Sequence, residues 1–223
     1  MCFSAEASFA GGIIISAIGA ATLGKVKKPS HKVFAGIPLL FGFQQFAEGV
    51  LWITLKSGEN EQLQNITTYI FLITALVIWP IMIPLSVWFM EEARVRKKIL
   101  GGLIITGGIL SLFYTSCLFS YDVYPQIQSF HIQYIDKFPV IPVRIALGFY
   151  LVTTISPLFI SSVKRMWLFG LLITVSYTIS SIFFAQYLTS VWCFFAALIS
   201  IVIYWVLSGP RTRTKQIPAQ SQT

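Results

Sequence analysis

The sequence predicts an all-α protein, a polytopic bundle of seven transmembrane helices with its N-terminus outside and its C-terminus in the cytoplasm. Of its 223 residues, 56% are hydrophobic and only 11% are charged, whereas a soluble domain has roughly 25% charged residues. Apolar runs close to the roughly 20 residues that cross a bilayer recur along the whole chain. They leave no stretch long enough for a separate soluble domain.

Seven apolar segments, called spans one to seven, cover residues 7–24, 33–55, 67–90, 99–119, 141–162, 166–185 and 189–207. Helices are the expected form, because the bilayer interior offers no partner for an unpaired backbone group. Span one lacks a preceding basic segment and an evident cleavage site, so we expect it to be retained. The prediction is a transmembrane domain over residues 1–209 and a disordered cytoplasmic tail over residues 210–223.

The basic residues predict the orientation of the bundle. Of the 16 Lys and Arg residues, 13 lie between spans one and two, three and four, five and six, or after span seven. The other side holds only Lys56, Lys137 and Arg144, so the positive-inside rule places the C-terminus in the cytoplasm. The net charge of +8 therefore indicates topology and not a nucleic-acid partner. The expected partner is the lipid bilayer of the inner or plasma membrane, and the sequence carries no signal for an oligomeric state.

Proline and glycine residues predict irregular or close-packed helices. Pro80 and Pro84 in span three and Pro157 in span five each remove a backbone donor, so each should kink its helix or free a carbonyl group. Gly107 and Gly108 in span four are small enough to let neighbouring backbones approach closely.

The long connection over residues 121–140 lies on the predicted outer side. Its apolar residues fit a helical stripe, yet Phe130, Ile132 and Tyr134 also alternate as they would in a strand. Periodicity leaves both structures open, and we expect an interfacial segment or a lid.

The second span carries the most unusual polar residues. An ionisable side chain inside a span costs about 2.5–3.5 kcal/mol on insertion scales. The presence of Glu48 in span two therefore needs an explanation. Helical spacing places Gln44, Glu48 and Trp52 on one face, with Gln45 beside them. This face predicts a candidate ligand-binding site in the outer half of the membrane.

Two interpretations of this face stay open at the level of sequence. It could be an interhelical hydrogen-bond cluster, with Arg144 near the outer end of span five as the partner of Glu48. It could equally be a polar pocket open to the outside that binds a small molecule or an ion. Tyr177 of span six is predicted to lie in the same half and completes the candidate ligand-binding set.

A metal or thiol site is a further hypothesis. Cys2, His131 and Glu6 all lie near the predicted outer face, and a thiolate with an imidazole would suit copper or zinc. Their spacing matches no metal-binding motif. Cys2 could also act as a nucleophile beside a free α-amine once Met1 is removed.

Two motifs resemble a known family. The chain opens Met-Cys-Phe-Ser-Ala-Glu-Ala-Ser-Phe, and span two contains Gln-Gln-Phe-Ala-Glu-Gly-Val-Leu-Trp. Both are similar to segments of a family of uncharacterised, mainly bacterial, multi-spanning membrane proteins. The resemblance implies the same architecture and no particular reaction. It points to Cys2, Glu6, Gln44, Gln45, Glu48 and Trp52.

The sequence thus predicts an integral membrane protein with an outward-facing polar pocket for a small molecule or ion, in transport or sensing. One alternative is a membrane-embedded thiol or metal-dependent enzyme that uses Cys2 and Glu48. Another is an accessory membrane subunit. A retinal protein is excluded because span seven has no lysine, and a haem relay because both histidines fall in loops.

Overall fold

The computed structural model describes residues 4–207. Within this range seven helical segments are long and apolar enough to cross a membrane, and they confirm the predicted bundle of a multi-pass membrane protein. They are Ala5–Lys25, Pro29–Ser57, Glu61–Met90, Arg94–Ser120, Val140–Ile160, Met166–Phe183 and Ala185–Leu207. The orientation of the termini stays a prediction, and the predicted tail over residues 210–223 lies outside the described residues.

Three spans are composed of shorter helices. Span two contains the turn Pro29–His31 and the helices Lys32–Ala35 and Ile37–Ser57. Span three contains Glu61–Leu72, the π-helical segment Ile73–Ile78 and Trp79–Met90. Span seven contains the turn Ala185–Tyr187 and the helices Leu188–Ile199 and Ile201–Leu207.

The spans pack in chain order around the bundle, and span seven closes it against span one. Span three also contacts span five, and span seven contacts span two. Spans two, three and seven are accordingly the most buried. Large apolar side chains of the outer helices, such as Leu112 and Phe119, point away from the bundle. In water such exposure would be unfavourable, whereas lipid tails accommodate it.

Small residues allow two close helix contacts. A Cβ atom on Gly42 of span two would lie 2.0 Å from the Ser16 hydroxyl oxygen of span one. A Cβ atom on Gly107 would lie 2.0 Å from the carbonyl oxygen of Pro80, whereas Gly108 faces open space. The predicted close approach of span four therefore depends on Gly107 and not on Gly108.

The prolines of span three accompany a π-helical segment rather than a plain kink. This segment, Ile73–Ile78, ends just before Trp79 and Pro80, and a proline cannot donate to the carbonyl one turn earlier. The Tyr150 hydroxyl donates to the carbonyl oxygen of Ala75 at 2.6 Å, and the Ser111 hydroxyl donates to that of Val77 at 2.6 Å. Side chains of spans four and five thus satisfy carbonyl groups of the irregular segment.

The long connection forms a β-hairpin, so the strand-like alternation was the informative pattern. Strand β1 covers Val123–Gln128 and pairs antiparallel with strand β2, His131–Asp136. Ser129 at the turn has a positive φ of 55°. The fold is therefore a helical bundle with one added hairpin in its described part. We call the end of the bundle that carries the hairpin the hairpin end. The opposite end, with the basic connections that follow spans one, three and five, is called the basic end.

At the basic end, a buried glutamate joins two connections. Glu91 follows span three and is 3% exposed. Its carboxylate accepts hydrogen bonds from the backbone N–H of Ser162 at 2.8 Å and from the Ser162 hydroxyl at 2.7 Å. The Arg96 guanidinium also donates to this hydroxyl, at 2.6 Å. The connection between spans three and four is thereby tied to that between spans five and six.

Candidate functional site

The polar face of span two lies inside the bundle. Gln44, Gln45 and Glu48 are each 0% exposed, and Trp52 is 1% exposed. All four belong to the regular helix Ile37–Ser57, so their spacing holds them on adjoining turns. We call these four residues the polar cluster.

Two hydrogen bonds connect the polar cluster to other spans. The Trp79 indole N–H of span three donates to the Gln44 Oε1 atom at 3.2 Å. The Ser190 hydroxyl of span seven donates to the Glu48 Oε1 atom at 2.5 Å. This face therefore takes part in interhelical hydrogen bonds, as one of the two interpretations of the sequence expected.

Five polar atoms of the polar cluster are buried without a hydrogen-bond partner among residues 4–207. They are Gln44 Nε2, Gln45 Nε2, Gln45 Oε1, Glu48 Oε2 and Trp52 Nε1. A buried polar atom left unpaired costs about 1–3 kcal/mol, so native structures contain few of them. Five such atoms on adjoining turns of one helix are therefore an unusual concentration.

The β-hairpin covers the polar cluster at the hairpin end. Ile132 of β2 is fully buried and packs with Ala5, Leu51 and Trp52. Tyr134 of the same strand stacks on Phe71 of span three, with ring centroids 5.0 Å apart. In the described part of the chain the polar cluster is therefore enclosed. This differs from the predicted pocket open to the outside, while a role of the hairpin as a lid stays a prediction.

His131 belongs to the β-hairpin and not to the polar cluster. It begins strand β2, is 9% exposed, and stacks on Tyr187 with ring centroids 4.7 Å apart at 14°. Burial lowers the pKa of its imidazole from the ordinary value of 6.5. The hydroxyl of Tyr187 in turn donates to the Gln128 Oε1 atom of strand β1 at 3.2 Å. These contacts attach the hairpin to the start of span seven.

The structure does not pair Arg144 with Glu48. Arg144 is exposed, and Glu48 is bound by Ser190 instead. Within residues 4–207 the one ion pair is Lys28 with Glu92. A long basic side chain at the end of a span can reach the membrane surface, which explains why Arg144 need not enter the bundle.

Tyr177 of span six is half-buried and contacts span seven. Its ring is 5.2 Å from that of Trp192 in span seven, at 73°. Trp192 lines an aromatic cavity in the bundle. Tyr177 is thus connected to this cavity through Trp192.

The metal hypothesis stays a prediction. Cys2 lies outside the described residues, Glu6 is exposed, and His131 is buried in the hairpin contacts. Among residues 4–207 no group of three or more His, Cys, Asp or Glu side chains could hold a metal ion. Cys117 and Cys193 are free and buried. The enzyme that would use Cys2 and the accessory subunit also stay predictions.

Sequence reasoning missed the two partners of the polar cluster, Trp79 and Ser190. Ser190 stands three residues before Cys193, and a serine at the start of an apolar span gives little signal by itself. Trp79 is adjacent to Pro80, and that neighbourhood could have marked it as part of an irregular and therefore unusual segment.

The fold and the site define a class of protein, a seven-helix integral membrane protein that encloses a polar cluster beneath a β-hairpin. The chain belongs to DUF6629, a family of unknown function whose model matches residues 1–220. This agrees with the expected membership of an uncharacterised family. No curated protein and no solved structure matches the chain.

Proposed function

We propose that this membrane protein binds a small polar molecule at the polar cluster, for transport or sensing. The observation that supports this is the set of five buried polar atoms without a partner among residues 4–207. At about 1–3 kcal/mol each, they represent roughly 5–15 kcal/mol of unsatisfied hydrogen bonding. That range is as large as the whole stability of a typical domain. A bound molecule that pairs with these atoms would recover part of it.

The unpaired atoms favour a ligand that both donates and accepts hydrogen bonds. Gln44 accepts from Trp79 through its oxygen, and its Nε2 group, a donor, has among the described residues only the weakly accepting sulfur of Cys193 beside it. The Trp52 indole is a second donor, whereas Glu48 Oε2 is an acceptor. A bare cation would leave both donors unpaired.

The ligand class that follows is a small organic molecule that carries both hydrogen-bond donors and acceptors, such as an amide, an amino alcohol or an amino acid. Gln45 fits the same class, since both its amide oxygen and its amide nitrogen are unpaired among the described residues. Such a ligand could satisfy donors and acceptors on two adjoining helical turns at once.

The test is ligand-dependent thermal stabilisation of the detergent-purified protein. The probes are acetamide, ethanolamine, glycine and alanine, with sodium chloride and sodium phosphate as controls of ionic strength. We expect at least one of the four organic probes to raise the melting temperature with a saturable dose dependence. Glu48→Gln should weaken the apparent affinity by roughly tenfold or more, because a carboxyl oxygen that can accept is replaced by an amide nitrogen that only donates.

Glu61→Gln is the matched control, since Glu61 is an exposed carboxylate at the start of span three. It should respond to the probes as the wild type does. The proposal is wrong if none of the organic probes stabilises the wild type, or if Glu48→Gln responds equally. Uptake of a stabilising probe into proteoliposomes then separates transport from sensing.

A further inference from the structure

An aromatic cavity lies in the bundle next to the polar cluster. It measures about 40 Å³ and is lined by spans two, three, five, six and seven, with Phe41, Trp79, Tyr150, Phe169 and Cys193 among its walls. A cavity of this kind needs only about 10–15 Å³ to hold one water molecule. It is therefore large enough for a small guest.

The cavity and the polar cluster share their dividing wall. Trp79 lines the cavity, stacks on Phe41 at 4.1 Å between ring centroids, and donates to Gln44 of the polar cluster. On span seven, Cys193 lines the cavity one helical turn after Ser190, which donates to Glu48. Cys193 also interacts with Gln44, so Trp79 and Cys193 both stand at the wall between the cavity and the polar cluster.

An irregular helical segment stands directly before Trp79. The π-helical segment Ile73–Ile78 ends directly before it, and a π turn contains one residue more than an α turn. Moving that extra residue past Trp79 would rotate the side chain by about 100° around the helix axis. The indole would then leave Gln44 and open the wall.

We infer that the aromatic cavity is the second compartment of a passage through the bundle, and that Trp79 is the gate between it and the polar cluster. This inference rests on the proposed function, because the molecule that passes is the ligand of the polar cluster. It adds a route and a gating residue, which binding at Glu48 alone would not require.

The native thiol of Cys193 makes the inference testable. The probe is a trimethylammonium-ethyl methanethiosulfonate reagent, which carries a fixed charge and does not cross the bilayer. The Cys193 thiolate would attack the reagent's sulfur, form a mixed disulfide and release methanesulfinate. Buried thiols react slowly, and peptide mass spectrometry separates Cys193 from the other cysteines. Cys117 is the internal control, as it is also buried, 3% exposed against 6%, but does not line the cavity.

The experiment compares Trp79→Ala with Ile83→Ala in proteoliposomes, with the reagent added to the hairpin end. Both residues line the cavity on span three, but Ile83 lies one turn beyond Trp79, away from the π-helical segment. Ser129 lies at the exposed hairpin turn. Labelling of a Ser129→Cys variant therefore measures the fraction of protein molecules whose hairpin end faces the reagent.

We expect Trp79→Ala to raise the labelling rate of Cys193 by roughly tenfold or more, because the thiol becomes accessible. Ile83→Ala and Cys117 should stay at the wild-type rate. Trp79→Phe, which keeps a stacked ring but loses the hydrogen bond to Gln44, should give an intermediate rate and covers the case that Trp79→Ala fails to fold.

Equal labelling of Cys193 in Trp79→Ala and Ile83→Ala, or no increase in either Trp79 variant, would contradict the inference that Trp79 is the gate. Such a result leaves the proposed function standing if the organic probes still stabilise the wild type and Glu48→Gln still weakens that effect. Loss of probe binding in the wild type would instead remove the proposed function, whatever the labelling shows.

Discussion

Replacing Glu91 by alanine should loosen the basic end of the bundle. The Glu91 carboxylate accepts four hydrogen bonds, from the backbone N–H groups of Glu92 at 3.1 Å, Ala93 at 3.0 Å and Ser162 at 2.8 Å and from the Ser162 hydroxyl at 2.7 Å. The first two are local and their donors belong to exposed residues, so water can replace the carboxylate there. The two bonds to Ser162 join separate connections, so their loss should account for most of the destabilisation by Glu91→Ala.

The size of the loss follows from those two bonds. A hydrogen bond to a charged group contributes about 1.5–3 kcal/mol. Since both bonds share one carboxylate and one residue, their effects are not additive. We expect Glu91→Ala to lower the free energy of unfolding by about 3 kcal/mol at neutral pH.

The loss should depend on pH in a defined direction. Burial raises the pKa of Glu91, but the hydrogen bonds from Ser162 and from the backbone N–H groups outweigh it and lower the pKa below the ordinary value of 4.5. A carboxyl group whose pKa is lowered by folding stabilises the protein fully above its unfolded pKa. That contribution is lost as the pH falls through the folded pKa. The difference between wild type and Glu91→Ala should therefore be full at neutral pH and shrink below about 4.5.

The assay is reversible unfolding in mixed micelles titrated with sodium dodecyl sulfate. Glu92→Ala is the matched control, because the neighbouring glutamate has a 91% exposed side chain and forms only a 3.9 Å ion pair with Lys28. Exposed pairs contribute about 0–1 kcal/mol. If Glu91→Ala and Glu92→Ala destabilise the protein equally, or if the Glu91 effect grows in acid, the reasoning is refuted.

Two further predictions concern helix packing and the hairpin. Gly107→Val should destabilise the bundle by about 1–3 kcal/mol or more, because its Cβ would meet the Pro80 carbonyl oxygen, whereas Gly108→Val should stay within about 0.5 kcal/mol. The same unfolding titration checks this, and equal losses would contradict it. Burial lowers the pKa of His131 from 6.5, so its share of stability is full above that value and is lost as the pH falls through the lowered pKa. His131→Phe keeps a ring against Tyr187 and should flatten the fall of melting temperature in mild acid; an unchanged slope would argue against this role.

The spans and the polar face of span two were predictable because each is a local pattern. A bilayer enforces long apolar helices, and a 3.6-residue period places Gln44, Glu48 and Trp52 on one side without any tertiary information. Their burial also followed, since a carboxyl group in a span is unfavourable in lipid and must turn inward. The same reasoning failed for Arg144, whose position near the end of span five lets the side chain reach water.

The hairpin was harder, because its apolar residues satisfy two periods at once. The alternation of apolar residues over 130–134 is short, and the residues of this segment also fit a helical stripe. The outcome depended on Ile132, which is fully buried with Trp52 and Leu51 when the segment is extended. Only the tertiary contact, far away in sequence, decides between the two structures.

Glu91 and Glu48 show why partners are harder to predict than positions. Glu91 stands in a charged connection and resembles a solvated loop residue, yet the chain returns 71 residues later to place Ser162 against it. Glu48 is conspicuous in its span, but Ser190, 142 residues away, carries no signal that distinguishes it from any other serine. Local chemistry marks a buried acceptor, and only the packed bundle selects its donor. This selection by packing is also why the unpaired atoms of the polar cluster carry functional weight. The bundle supplied serine donors to Glu91 and to one oxygen of Glu48, whereas within residues 4–207 the second oxygen of Glu48 and both amide atoms of Gln45 have no hydrogen-bond partner.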